Sequence, residues 1–301
     1  MSREEWLKER KTYIGGSDIG AIVGVNKYKS AVDVYMDKVS DEIKEENTNA
    51  TYWGCALEDA VAKAYSEKTG FDVKEEDKLL KHKEYPFIAA NIDRWADNGN
   101  HILECKTAGF MMSKEWGEEY TDQIPESYLC QVAWYAAICE VERVDIAVLI
   151  GGQDFRIYSY TANRAFQEKL IKVGINFWNN HVLKNMPPEI KHVNDVMSLY
   201  PVSKPIEAKA NSEVIVKLGT IKELKAQDKQ LNDSIKTLEL EVKEYMKEAE
   251  LLVDNSGKCL ASWKTAKPRQ SLDTKKLKAE HEDIYKEYMK ESEPSRMFLI
   301  K

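Results

Sequence analysis

The stretch from Asn91 to Thr107 limits what this chain can fold into more than any other. Asp97-Asn98-Gly99-Asn100 is a strong hairpin-turn signal, and its flanks, Asn91 to Trp95 and His101 to Thr107, are short apolar runs of strand character. Side chains alternate across a strand, so Glu104 and Lys106 share one face while Cys105 points to the other. Asp93, near the turn on the partner strand, can reach the face of Glu104 and Lys106. An isolated acid followed eleven residues later by Glu-x-Lys therefore brings two carboxylates and one amine together. A hard divalent cation such as Mg²⁺ takes oxygen ligands, commonly one or two carboxylates with waters and a substrate phosphate. It can orient a water, lower its pKa and offset charge on a phosphorane, and a neighbouring lysine can help deprotonate or position that water or stabilise the developing anion. The pattern outlines a phosphodiester hydrolysis site. A solvated strand face is the competing reading of Glu104 and Lys106, and the apolar Ile102-Leu103 just before them favours the end of a buried strand.

The 301 residues suffice for one sizeable core with an appendage, or for two domains. With 43% hydrophobic and 32% charged residues the chain reads as soluble and globular. No stretch approaches the ~18 to 20 apolar residues of a membrane span, and no apolar run follows Met-Ser-Arg-Glu-Glu-Trp, so a cytoplasmic protein without a membrane partner is expected. Cys55, Cys105, Cys130, Cys139 and Cys259 are an odd, scattered set expected to be reduced core or half-core thiols. The absence of a CxxC pair and the dispersal of the five histidines count against zinc or iron–sulfur. The net charge of −7 counts mildly against nucleic acid. The acids concentrate at Asp37 to Glu46, Glu75 to Asp77 and Glu223 to Glu250, which leaves room for a local basic groove.

Along the chain, Ser2 to Arg10 reads as a short amphipathic helix. Gly15-Gly16-Ser17-Asp18 then turns tightly into a closely packed helix capped by Ser17 or Asp18, and Arg10 beside its N-terminus would suit a phosphate. Ser30 opens a helix over Ala31 to Val39, and Thr51 to Thr69 forms a long helix stopped by Gly70. Leu57, Val61, Ala64 and Tyr65 face inward on it, with Glu58 next to that stripe. Strands are expected over Phe71 to Val73, Phe87 to Ile92 and Ile102 to Thr107, and Gly109 to Gly117 as a loop or short helix. Pro125 begins a helix over Glu126 to Glu140, on which Gln131 and Tyr135 lie on one face. Val144 to Ile150 reads as a central buried strand, paired with Phe155 to Tyr160, and Asn163 to Lys184 as an amphipathic helix ended by Met186-Pro187-Pro188. Beyond Pro205, Ile221, Leu224, Leu231, Ile235, Leu238, Val242, Tyr245 and Ala249 keep a 3–4 spacing broken by Asp228, the mark of a long helix made to pack on a partner. A β-hairpin over Leu251 to Trp263, one or two short basic helices over Thr274 to Met289, and a final strand over Met297 to Lys301 complete the reading. The basic cluster Lys264 to Lys278 suits a solvated surface or duplex tracking.

Taken in order, Arg10 with Ile14-Gly15-Gly16-Ser17-Asp18, the helix segment Gly54 to Glu58, Asp93 with Glu104-Cys105-Lys106, and Gln131 to Tyr135 resemble the YqaJ-like viral recombinase family. These are phage alkaline exonucleases related to lambda exonuclease, within the PD-(D/E)xK nuclease superfamily. The resemblance covers Trp6 to Tyr160. It implies a three-layer α/β core, a mixed central sheet flanked by helices, over 1–204, with a C-terminal extension over 205–301 of one long helix and a small β-containing tail. It implies that Glu58, Asp93, Glu104 and the Cys105 carbonyl ligate Mg²⁺, or Mn²⁺ in its place, and that Lys106 acts on the water. Arg10 and Ser17 resemble residues that grip a 5′-phosphate, while Gln131 and Tyr135 would support the scissile region. The implied partners are double-stranded DNA with free ends, digested from 5′ ends, a phage single-strand-annealing protein, and further copies of the chain in a trimer. One departure stands out: the family's core acid often sits in Pro-Asp-Gly, and here it sits in Ile92-Asp93-Arg94. A structure- or sequence-specific endonuclease on the same fold, and a non-catalytic DNA-binding or assembly protein, are the alternatives.

Overall fold

The structure, a computed structural model, describes residues 3–42, 48–291 and 295–300. Ser2, Glu45 and Glu46 of the acidic stretch, and Lys301 lie outside them. Contacts divide the chain into Met1–Pro201 and Val202–Lys301. The first unit begins with three helices, α1 (Arg3–Arg10), α2 (Gly16–Val23) and α3 (Ala31–Val39), and the longer α4 (Asn49–Thr69). Five short or medium strands follow: β1 (Val73–Glu75), β2 (Leu80–Lys81), β3 (Ala89–Ala90), β4 (Arg94–Ala96) and β5 (His101–Ala108). A 3₁₀ turn over Phe110–Glu115 leads to α5 (Glu126–Cys139), β6 (Arg143–Ile150), β7 (Asp154–Thr161), α6 (Arg164–Phe177) and α7 (Val193–Leu199).

The main sheet has the order β1-β4-β5-β6-β7. Only β5 and β6 run parallel, so the sheet is mixed, and their connection carries α5 across one face. β6 is buried on both sides, as its continuous apolar run requires. Ile102, Val144, Ile146 and Val148 pack toward α5, while Leu103 and Ala147 pack with Val61, Ala62 and Tyr65 of α4. Helix α5 is itself buried nearly all round, since α2 and α6 cover its outer side. The result is a three-layer α/β core. The β4–β5 turn needs left-handed backbone at Asp97, Asn98 and Gly99, which Asn, Asp and Gly tolerate best.

Local expectations fail where tertiary pairing decides. The N-cap of α2 is Gly15, and Asp18 instead accepts its N–H. Of Phe87 to Ile92 only Ala89–Ala90 is strand, because its partner β2 is two residues long; β2 and α7 carry no periodic signal strong enough to be read. Helix α6 gives way to a π turn over Trp178–Val182. Cys55 and Cys259 are exposed, not half-buried.

The second unit consists of α8 (Ser212–Met246), a hairpin of β8 (Leu251–Val253) and β9 (Cys259–Ser262), and the short helices α9 (Thr274–Glu280) and α10 (Glu282–Glu287). Asn211 caps α8, and Lys247 leaves the helix with positive φ, which puts Ala249 beyond its end. Residues 297–300 form no strand: no strand pairs with them, and Met297, Phe298 and Leu299 are exposed. Among the described residues no helix is long and apolar enough to cross a membrane.

Candidate active site

The β4–β5 hairpin and α5 assemble the site. Asp93 immediately precedes β4, and its Oδ2 accepts the Cys105 N–H at 2.8 Å, which fixes it beside the strand that carries Glu104 and Lys106. Glu104 is buried against α5. Its Oε1 accepts from Lys106 Nζ at 2.5 Å and from Gln131 Nε2 at 2.7 Å. Gln131 also donates to the Tyr135 hydroxyl at 2.8 Å, and Lys106 lies 5.0 Å from the centre of the Tyr128 ring. The other oxygen, Glu104 Oε2, is buried without a hydrogen-bond partner. A buried carboxylate oxygen left unsatisfied is costly, and such a group calls for a reason.

The electrostatics point the same way. Burial, and then the nearby Glu104 carboxylate, push the Asp93 carboxyl up to about 7. Burial opposes the charge on Lys106, but Glu104 and Asp93 outweigh it and raise the ammonium above its ordinary value. Tyr135 is held well above its ordinary value by burial and by Glu104 and Asp93. Two carboxylates thus influence each other in a buried corner, with one ammonium on Glu104. A hard divalent cation fits this set: the donors are oxygens, one is buried and unpartnered, and negative charge is in excess.

Glu58, on α4, is tied to Arg94, the residue that follows Asp93. Its Oε1 accepts from Arg94 NH1 at 2.7 Å, and burial and Asp93 raise its carboxyl against the pull of Arg94. Among the described residues no group of three or more His, Cys, Asp or Glu side chains stands ready to hold a metal ion. The structure therefore joins Asp93, Glu104, Lys106, Gln131 and Tyr135 and leaves Glu58 on Arg94. Cys105 gives its N–H to Asp93, and its thiol, on the opposite face, is raised by burial.

Arg10 and Ser17 form a second group that adjoins the first. Arg10 NH2 donates to Ser17 Oγ at 3.0 Å, and Ser17 is exposed at the first turn of α2. Gly16, just before it, permits the approach: a Cβ there would lie 2.4 Å from the Tyr135 ring and 3.0 Å from Gln131 Cγ. Beneath them Asp18 is fully buried, with Lys38 at 2.8 Å, Lys29 at 3.1 Å and Arg10 at 4.0 Å. Burial would raise its carboxyl, but Lys38, Lys29 and Arg10 hold it far below the usual range. Sequence reasoning missed Lys29, Lys38 and Arg94; only the Asp-Arg pair in place of Asp-Gly hinted at the last.

Residues 5–142 match the YqaJ-like viral recombinase domain. The protein YqaJ of Bacillus subtilis strain 168 is 36% identical over 304 residues, spanning 97% of this chain and 92% of that protein. The chain belongs to the YqaJ-like viral recombinase family. Among solved structures it is similar to an alkaline exonuclease, LHK-Exo, from Laribacter hongkongensis, with TM-score 0.49 and 14% identity over 61% of this chain and 94% of that one. A phage-related exonuclease from Haemophilus somnus 129PT aligns with TM-score 0.45 and 13% identity, covering 60% of this chain and 99% of that one. The family match runs from within α1 through α5, so it includes every residue of both groups described above.

Proposed function

We propose that this chain is a metal-dependent deoxyribonuclease that resects linear double-stranded DNA from 5′ ends and hands the exposed strand to a phage single-strand-annealing protein. The observation that carries this reading is Glu104, buried beside Asp93 and Lys106 with one oxygen unpartnered. Membership of a recombinase family supports it independently.

Asp93, Glu104 and the Cys105 carbonyl would hold Mg²⁺, or Mn²⁺ in its place, with Glu58 completing the set. A divalent cation bound there supplies Lewis acidity toward water and the scissile phosphate. Lys106, whose pKa is raised, stays protonated through neutral pH. Its Nζ then acts as a donor, orienting the attacking water or taking charge that develops on a phosphoryl oxygen. Gln131 fixes Glu104 by donating to Oε1, and Tyr135 fixes Gln131. Arg10 and Ser17 at the N-terminus of α2 would take a terminal 5′-phosphate through charge-assisted hydrogen bonds. The partners of this activity are duplex DNA with free ends and further copies of the chain in a trimer.

End-labelled linear duplex, incubated with Mg²⁺ and separately with EDTA, tests the reading. Label should leave 5′-phosphorylated ends only in Mg²⁺, and covalently closed circles should stay intact. Cutting of the circle would make the chain an endonuclease, and no cleavage with either Mg²⁺ or Mn²⁺ would make it a binding or assembly protein.

A further inference from the structure

Arg94 occupies the position next to the core acid. Its side chain is only 7% exposed, and its guanidinium is surrounded by acceptors from three elements. NH1 donates to Glu58 Oε1 at 2.7 Å and also to the Asp93 carbonyl at 2.7 Å. NH2 donates to Asp59 Oδ1 at 2.5 Å, and Glu75 Oε1 of β1 stands 4.0 Å from NH1. A buried guanidinium is held in place by such a set, because its planar fork reaches several fixed acceptors with little further loss of freedom.

The pairing with Asp59 is peripheral, since that carboxylate is 92% exposed and screened by water. The bridge made by NH1 is different. A single nitrogen joins the side chain of Glu58 on α4 to the main chain of Asp93 ahead of β4, so the two acids are set against one another by one group. Without it they would repel, and Glu58, at the half-exposed edge of α4, would be free to turn to solvent. We infer that Arg94 is a positioning residue, which holds Glu58 beside Asp93 through its NH1 bridge so that the two carboxylates can bind one divalent cation. The inference rests on the metal-site reading above and adds to it a residue that touches neither substrate nor cation. Partners of ligands in this outer position affect metal affinity by about 10- to 100-fold.

Mn²⁺ binding to the full-length chain, measured by calorimetry without DNA, separates the possibilities. Wild type, Arg94→Met, Arg94→Lys, Glu58→Gln and the double variant Arg94→Met/Glu58→Gln are compared, with thermal melting of each as a check on folding. Arg94→Met should weaken Mn²⁺ by about 10-fold or more. Arg94→Lys should recover part of the loss, and the double variant should bind no more weakly than Glu58→Gln alone. A merely structural arginine would give additive losses in the double variant. Equal affinity in wild type and both single Arg94 variants, or additive losses, would overturn the inference while leaving the metal site standing. A wild type that binds no Mn²⁺ would overturn the metal-site reading itself. If Arg94→Met fails to fold, the comparison of Arg94→Lys with and without Glu58→Gln decides by the same criterion.

Discussion

Asp18 and Glu104 are both buried carboxylates at the α2–α5 side of the sheet, and the chain treats them in opposite ways. Asp18 meets Lys38, Lys29 and Arg10, and its Oδ2 also accepts the Gly15 N–H. Glu104 has one ammonium and one amide on a single oxygen, a second carboxylate nearby, and nothing on the other oxygen. Asp145 on β6 repeats the Asp18 pattern, accepting from Tyr65, Arg143 and Ser159 with His101 beside it. A carboxylate whose oxygens are fully engaged consolidates the fold. One left short of donors is costly to bury, and Glu104 is the acid of this kind here.

The largest effect should come from breaking the satisfied cluster. Asp18→Asn leaves Lys38, whose side chain is fully buried, facing a neutral amide. Removing one partner of a buried pair costs about 3–5 kcal/mol. Chemical denaturation should therefore show a drop of that size, whereas Glu104→Gln, which leaves Lys106 on a neutral amide but relieves repulsion with Asp93, should cost clearly less. Equal destabilisation by both changes would erase the distinction.

Turnover should move the other way. Glu104→Ala and Lys106→Ala, still folded by circular dichroism, should lower the rate on linear duplex on the order of 10²-fold or more. Variants with near-normal rates would show that Glu104 is only an awkwardly packed acid.

Arg10 allows a finer cut within the satisfied cluster. It is the most distant of the three cations around Asp18 and is partly exposed, so Lys29 and Lys38 can hold the acid without it. Arg10→Ala should cost under about 1 kcal/mol of stability and erase most of the preference for 5′-phosphate over 5′-hydroxyl ends. Retention of the preference, or a large loss of stability, would make Arg10 a structural residue.

The parts of this site that sequence makes legible are those fixed by local geometry. The hairpin turn and strand alternation suffice to bring Asp93, Glu104 and Lys106 to one face, because a turn sets register and register sets side. Gln131 and Tyr135 share a helix face by their spacing alone. Lys38, Lys29 and Arg94 are different: each is one charged residue among many, and only tertiary burial, not periodicity, singles it out. The same holds for the short β2, which is strand only by its pairing with β3, and for residues 297–300, whose strand character finds no partner edge. Glu58 was legible as an acid beside the core stripe, but its attachment to Arg94 was not, since that contact joins residues 36 apart on two different elements.

The contrast can also be tested without any change in cleavage, through the pH dependence of stability in metal-free protein. Asp18 and Asp145 are held below the usual carboxylate range, so the stability they contribute is present above about pH 4 and is lost only as pH falls through their folded values. Asp93 is raised to about 7, so between about pH 4 and 7 the folded chain keeps a proton that the unfolded chain has released. The folded state then binds more protons, and its stability must fall as pH rises through that window, by at most about 1.4 kcal/mol per pH unit. In EDTA, the melting temperature of wild type should decline from pH 5 to 7.5 relative to Asp93→Asn, which has no such proton to lose. Mg²⁺ should restore much of the difference at pH 7.5, because a cation favours the ionised carboxylates. A wild-type melting temperature that tracks Asp93→Asn across the window, with no response to Mg²⁺, would mean that Asp93 and Glu104 do not strain against one another, and that the second carboxylate cluster is as settled as the first.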